Sequence, residues 1–375
     1  MSVRIRRVVR VLLLCLCPAI LLKVKQYLER YKYLVHEERK MHVRVPLAKC
    51  LWAWRHGFLS RAVVEFGLNR SNVHRYLPDA SYYPAHPYNG MFSHLIDNKL
   101  TLYFTLGAFC EYLPVYYLLL YRNEIIWLDR AHHAISQDQT DTILHLCREK
   151  GKLAIKPLAS TYGMGFHVIA FDGESYRLDG KPIGEEQLRD LCRRLNNYLI
   201  TEFVQQHSYA DRLFPHTTNT IRILTVRDYG AHECFIARAV HRIGRPATIP
   251  VDNWSQGGLT CSINIDSGKL GPGATFPRDG SLVWYECHPD THARIAGTVV
   301  SHWSTAGSAV LKIANTLAMV PYMGWDIVVT AESFKILEIN SLPGTDTLQL
   351  HGPLLDDERL RRFYASRIPS LRTKR

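Results

Sequence analysis

The sequence predicts a mixed α+β body behind a helical N-terminal region. Residues 20–75 keep apolar positions mostly at helical spacing. From "YLPVYYLLL" onward, short β-rich runs alternate with turns, and two further helical patterns interrupt them. With 375 residues, 47% of them hydrophobic, the chain can bury a full core spread over two or three domains.

In the helical region, a pause at "VRVP" precedes "LAKCLWAWRHGFLSRAVVEFGL". Three prolines and a glycine in "LPDASYYPAHPYNG", Leu77 to Gly90, mark a loop and a domain edge. "MFSHLIDNKLTLYFTLGAF" resumes the helical pattern. The expected strands are "EIIWL", "LAIKPL", "FHVIAFDG", "SYRLDGK", "LITEFVQQ", "TIRILTVRD", "CFIARAVH", "TCSINIDSGKL" and the pair "DIVVT" and "KILEIN". "GEEQLRDLCRRLNNYL" reads as a helix, and "THARIAGTVVSHWSTAGSAVLKIANTLAMV" as mostly helix. There are no internal repeats and no low-complexity tract.

The net charge of +12 sits at the two ends. Residues 1–61 hold 14 Lys/Arg against 3 Asp/Glu, and residues 359–375 add 7 positive residues and no acid. Residues 62–358 hold 25 Lys/Arg against 31 Asp/Glu. A mildly acidic body without a reading motif argues against nucleic-acid binding. The nine cysteines include no Cys-x-x-Cys pair, and the 18 histidines no His-Glu-x-x-His pattern. That argues against a disulfide framework and a structural zinc site, and for a reducing, cytoplasmic compartment. Adjacent His132 and His133 point in different directions in any regular element.

After "RIRRVVR", the apolar run Val11 to Leu22 is twelve residues long and broken by Pro18, too short to cross a membrane. No secretory cleavage site follows it. Beyond it Ile20, Val24, Tyr27, Leu28, Tyr31, Leu34 and Val35 share one helical face, with Lys, Arg and Glu opposite. Such a segment is either a helix packed on the body or a basic amphipathic helix lying peripherally on an anionic inner membrane face.

Chemistry concentrates in four places. "KLAIKPLASTYGMG" delivers Lys156 at a strand end, then a loop with Ser160, Thr161, Gly163 and Gly165. Free N–H groups in such a loop suit oxyanions, and lysine supplies a point charge for phosphate. The loop lies between strands, so it is neither a P-loop nor a Rossmann turn; alone it reads first as a Gly-rich hairpin and second as an anion-binding loop. "YLITEFVQQH" reads first as an ordinary strand, and as one that can offer main-chain groups to an adenine edge. "TNTIRILTV" puts Asn219 and Arg222 at a strand mouth, where arginine suits a phosphoryl group or a structural ion pair. In the final hairpin Asp326 faces Glu338, and Asn340 lies two residues on, on the same side. Acidic residues are poor strand formers, and three oxygen donors on one face suit Mg²⁺, with phosphates and water completing the shell; the alternative is a surface hairpin with incidental polar residues.

Taken in order, "DNKLTLYFTL", "IKPLASTYGMG", "ITEFV", "NTIR", "NWSQGGL" and "WDIVV…LEINSLPG" resemble the ATP-grasp enzymes, within them the sugar-transfer-associated ATP-grasp family. The resemblance spans about Leu47 to Leu350. No single motif is specific, but the ordered set is. It implies ATP held between a lid subdomain and a larger α+β subdomain. Lys99 and Lys156 would contact ATP phosphates, and Ser160 to Gly165 would form the lid loop. Glu202, Phe203 and Val204 would line the adenine, and Arg222 would stand near the transferred phosphoryl. Asp326, Glu338 and Asn340 would hold one or two Mg²⁺, and Asp252 to Leu259 would face the acceptor. Gln205, Gln206 and His207 stand where many members carry an acidic ribose ligand. The implied plan is an N-terminal segment (1–45), a helical domain (46–100), a lid (101–205), a C-terminal subdomain (206–358) and a basic tail (359–375). The implied activity is an ATP-dependent ligase joining a carboxylate, such as a uronic or sugar-linked acid, to an amine in surface-polysaccharide or glycoconjugate assembly. The alternatives are a kinase on the same fold and a non-catalytic, membrane-associated nucleotide-binding scaffold.

Overall fold

The computed structural model describes residues 28, 32, 34–40, 43–122, 124–129, 138–158 and 164–372. The apolar run at 11–22, His132, His133 and the loop residues Ser160, Thr161 and Gly163 lie outside them. The chain divides into two compact units, one of Met1–His86, Pro277–Ser281 and Gly352–Arg375, the other of Pro87–Phe276 and Leu282–His351.

In the first unit, helix Leu47–Arg55 buries Ala53 beside Phe58, Ala62, Phe66, Leu68 and Tyr76. Phe66 and Tyr76 stack at 4.9 Å. Residues 359–367, within the expected basic tail, belong to helix Glu358–Arg367. Asp357 caps it by accepting from the Arg359 and Leu360 N–H groups, and its apolar stripe of Leu360, Phe363 and Tyr364 is buried.

The second unit carries two seven-stranded antiparallel sheets. The first runs β2-β1-β7-β3-β4-β5-β6, built from β1 (Tyr116–Tyr121), β2 (Glu124–Trp127), β3 (Lys152–Pro157), β4 (His167–Phe171), β5 (Tyr176–Leu178), β6 (Lys181–Ile183) and β7 (Tyr198–Glu202). Helices Gln139–Lys150 and Glu185–Arg193 share an apolar core with it. The first of these was not anticipated, although Asp138 caps it through the Asp141 N–H at 2.9 Å.

The second sheet runs β12-β11-β10-β9-β8-β13-β14, with β8 (Ile221–Asp228), β9 (Glu233–Ile243), β10 (Leu259–Ser262), β11 (Gly273–Thr275), β12 (Trp284–Tyr285), β13 (Tyr322–Val329) and β14 (Phe334–Asn340). One face, with Ile223, Ala239, Cys261, Trp325 and Ile336, joins the core that includes helix Trp303–Thr316. The expected helix over 291–320 is confined to Trp303–Thr316. His292, Gly297 and His302 all take positive φ, which interrupts an α-helix, and the preceding stretch bonds irregularly to neighbouring loops instead.

Register decides what the other face carries. Asp326 pairs with Glu338 and Gly324 with Asn340, whereas Ile327 pairs with Ile336, so Leu337 is an extra residue. Strict alternation would put Glu338 on the face of Phe334 and Ile336, which are core residues. The bulge turns Glu338 and Asn340 to the side of Asp326.

Candidate active site

Five elements converge on that face. Asp326 comes from β13, Glu338 and Asn340 from β14, and Arg222 from β8 directly opposite Asp326. Lys99 is the first residue of helix Lys99–Thr105, whose start Asn98 caps through the Leu100 and Thr101 N–H groups. Its ammonium lies 3.6 Å from Glu338 Oε2. Lys156, on β3, is 8% exposed.

Asp326 is 2% exposed and both its oxygens are engaged. Arg222 donates to Oδ1 from Nε and to Oδ2 from Nη2, the second bond at 2.7 Å. Arg242, on β9, donates to Oδ2 at 3.1 Å. Burial alone would raise the carboxyl's pKa, but the two guanidinium groups hold it well below the usual carboxylate range. Burial likewise opposes the Arg222 charge, and Asp326 overcomes it and raises the pKa. The ion pair weighed for Arg222 therefore exists, and it is made to one of the candidate metal ligands.

Lys156 shows the opposite balance. Burial first, then neighbouring Lys99, push its ammonium down to about 8, against the pull of Glu338 and Glu202. Lys99 and Lys156 balance Glu338 and Glu202, but Arg222 and Arg242 share the single carboxylate of Asp326, so these groups together carry one excess positive charge, the condition in which a polyphosphate is welcome.

The donor set fits a hard divalent cation. Glu338 is about one third exposed, and Asn340 Nδ2 donates to Glu338 Oε1 at 3.3 Å, which commits the amide nitrogen rather than its oxygen. Among the described residues no group of three His, Cys, Asp or Glu forms a metal cage. Two carboxylates and an amide are a partial shell, suited to a cation that keeps waters and phosphate oxygens.

A second cleft is lined by Lys152, Phe203, Val204, Gln205, Gln206, Asp211, Pro215, Thr217 and Thr218. The Lys152 ammonium lies 3.6 Å from the centroid of the Phe203 ring. Glu202 accepts the Val115 N–H at 3.0 Å, so its side chain ties the end of β7 to the residue before β1. Gln206 is saturated: its amide nitrogen donates to Asp211 Oδ1, Phe214 O and Thr217 O, and its oxygen accepts from the Asn219 N–H. Asn219 is equally committed, donating to Ala210 O and Phe214 O. Both hold the loop and neither is available to a ligand. Asp211, which accepts from Gln205 and Gln206, is an acidic residue of the same cleft that the motifs did not single out.

Gly165 closes the β3–β4 hairpin at φ +74, where a Cβ would meet the Tyr198 hydroxyl at 2.8 Å. Within "DNWSQGGL", Asp252 accepts from the Thr220 N–H and hydroxyl at 2.7 and 2.6 Å, and Trp254 is buried with its indole N–H on Ala274 O. A Cβ on Gly258 would meet three backbone oxygens at 2.8–3.1 Å. Arg242, also missed, joins this loop to Asp326; nothing in "RAVHRIG" distinguishes it from a surface arginine.

Two antiparallel sheets with lysines, arginines and a carboxylate pair collected on one face define an ATP-grasp protein. The chain belongs to the sugar-transfer associated ATP-grasp family, which matches residues 80–362. No curated protein matches it. Among solved structures it is similar to D-alanyl-alanine synthetase A from Vibrio cholerae, at 13% identity and a TM-score of 0.42, covering 76% of this chain and 67% of that one. A D-alanine-D-alanine ligase from Helicobacter pylori gives 12% identity and a TM-score of 0.39, covering 72% and 61%. An ADP complex of N5-carboxyaminoimidazole ribonucleotide synthetase gives 13% and 0.37, covering 68% of this chain; the chain spans 46% of that protein's length. No helix among the described residues is long and apolar enough to cross a membrane.

Proposed function

We propose that the protein is an ATP-dependent ligase that joins a carboxylate to an amine. The observation that supports it is the convergence of Lys99, Lys156 and Arg222 with Asp326, Glu338 and Asn340 on one face of one unit. The β- and γ-phosphates lie against Lys99 and Lys156, and the lid loop with Ser160, Thr161, Gly163 and Gly165 excludes water. Asp326, Glu338 and Asn340 hold Mg²⁺, which supplies positive charge to the phosphate oxygens. Glu202, Phe203 and Val204 line the base, and Asp211 takes the ribose side. A substrate carboxylate oxygen attacks the γ-phosphorus, the bond to ADP breaks, and an acyl phosphate forms while Arg222 offsets the growing charge. The amine nitrogen then attacks the carbonyl carbon, phosphate leaves, and the amine's proton passes to solvent. No protein nucleophile is required, because positioning and charge neutralisation carry phosphoryl transfer.

The family's description associates it with sugar transfer, so the favoured carboxylate is a uronic or other sugar-linked acid in glycoconjugate assembly. The test is calorimetric ATP titration with and without Mg²⁺, for the native protein and Glu338→Ala. Mg²⁺ should tighten ATP binding in the native protein, and the substitution should remove that gain. ATP binding indifferent to Mg²⁺ in both proteins overturns the active-site assignment. With candidate acids and amines, phosphate left on the substrate would make the protein a kinase.

A further inference from the structure

Asp326 is served by two arginines that are held very differently. Among the described residues, Arg222 has one hydrogen-bond partner, Asp326 itself. Arg242 is anchored from behind. Its Nε and Nη2 donate to the Thr220 hydroxyl at 2.9 and 2.6 Å, and its Nε lies 3.6 Å from Asp252 Oδ1. The Thr220 hydroxyl has one proton, and it goes to Asp252 Oδ2 at 2.6 Å, so its lone pairs face Arg242. Asp252 Oδ2 also takes the Thr220 N–H at 2.7 Å, and the Arg242 N–H bonds Thr220 O at 2.8 Å. The Nη2 held here by Thr220 is also the nitrogen that donates to Asp326 Oδ2 at 3.1 Å, so the anchor aims it.

A buried carboxylate that loses its last counter-charge is strongly destabilised. If Arg222 were the sole arginine on Asp326, its turning toward a phosphoryl group would leave that buried carboxylate with the bound metal as its one counter-charge. With Arg242 fixed on Oδ2, Arg222 can leave and Asp326 stays paired. We infer that Arg242, held by Thr220 and Asp252, is a positioning residue: the resident counter-ion of Asp326 that frees Arg222 to meet the transferred phosphoryl group. This rests on the ATP-binding reading above, and it adds a division of labour between the two arginines. It also gives "DNWSQGGL" a share in phosphoryl transfer through Asp252.

The measurement is the preference for ATP over ADP, both with Mg²⁺, by calorimetry. ADP lacks the group Arg222 would meet, so a merely structural role of Arg242 weakens both nucleotides alike. In Arg242→Gln, Arg222 stays locked on Asp326, and the preference should fall about tenfold while ADP affinity holds. Arg242→Lys, which keeps the counter-charge, should recover most of it. Thr220→Val removes the anchor's hydroxyl but keeps both charges, and should lower the preference in the same direction by a smaller factor. An undiminished preference in Arg242→Gln overturns the inference, as does an equal loss for both nucleotides. Should Arg242→Gln fail to fold, an undiminished preference in Thr220→Val overturns it instead. A native protein that shows no Mg²⁺-dependent ATP binding overturns the ligase reading itself, which separates the two failures.

Discussion

At the scale of single residues, Lys156 carries the clearest signature of a group kept for binding. Its pKa lies below that of an unfolded chain, pushed down to about 8 by burial and Lys99, so the ammonium costs stability in the free protein. The sign follows. The penalty is full below pH 8, shrinks as pH rises through the folded and then the unfolded value near 10.5, and amounts to about 3 kcal/mol at neutral pH. Lys156→Met should therefore melt a few degrees higher than the native protein at pH 7, with the gap closing by pH 10, while losing ATP affinity. A lower melting point at pH 7 would mean that the ammonium stabilises the fold. In the native protein, phosphates restore the charged form, so ATP binding should take up a proton above pH 8. Titrations in two buffers of different ionisation enthalpy read that uptake directly.

At the scale of elements, the candidate site depends on how tightly β13 lies against the turn after β14. A Cβ on Gly324 would sit 2.4 Å from Pro343 Cβ and 2.7 Å from its Cγ. Gly324→Ala must push the "NSLPG" turn away, and Asn340 stands directly across from Gly324. Overpacking of this kind costs about 1–3 kcal/mol, so the urea midpoint should fall and the Mg²⁺ gain in ATP affinity should weaken with it. An unchanged midpoint would show that the turn yields freely. The same hairpin marks what the sequence can and cannot tell. Its alternating pattern announced both strands, and the acids within it marked the candidate site. The bulge at Leu337, which turns Glu338 off the core face, has no local signal, since register is settled by two strands together. Helical spacing likewise found Trp303–Thr316 but ran on through positive-φ positions at His292 and His302, which no apolar period records. Helix Gln139–Lys150 escaped because its apolar positions are few among charged and polar neighbours. Arg242 and Asp211 reach their partners through folding alone, whereas Asp326, Glu338 and Lys156 stand in short ordered motifs.

At the scale of the whole chain, charge divides with the two compact units. The unit of Met1–His86, Pro277–Ser281 and Gly352–Arg375 holds 24 Lys/Arg against 9 Asp/Glu, and the other holds 22 against 25. Both basic ends thus belong to one unit, and the unit with the candidate site carries a slight negative excess. We propose that the basic sequence flanking the short apolar run meets an anionic lipid headgroup layer, to which each nearby Lys or Arg contributes about 1 kcal/mol; a helix packed on the body is the competing reading. In the same unit Leu47 and Leu51, one helical turn apart in Leu47–Arg55, are exposed apolar residues. The purified protein should cosediment with vesicles of phosphatidylcholine and phosphatidylglycerol, and not with phosphatidylcholine alone. Binding should weaken as ionic strength rises from about 0.1 to 1 M, because the screening length shortens from about 10 to 3 Å. Deleting residues 1–40 removes 10 of the Lys/Arg and the whole apolar run, and should abolish cosedimentation while ATP binding with Mg²⁺ persists. Sedimentation unchanged by the deletion would sink the membrane proposal for the N-terminal segment. Loss of ATP binding along with it would show instead that this segment supports the nucleotide site.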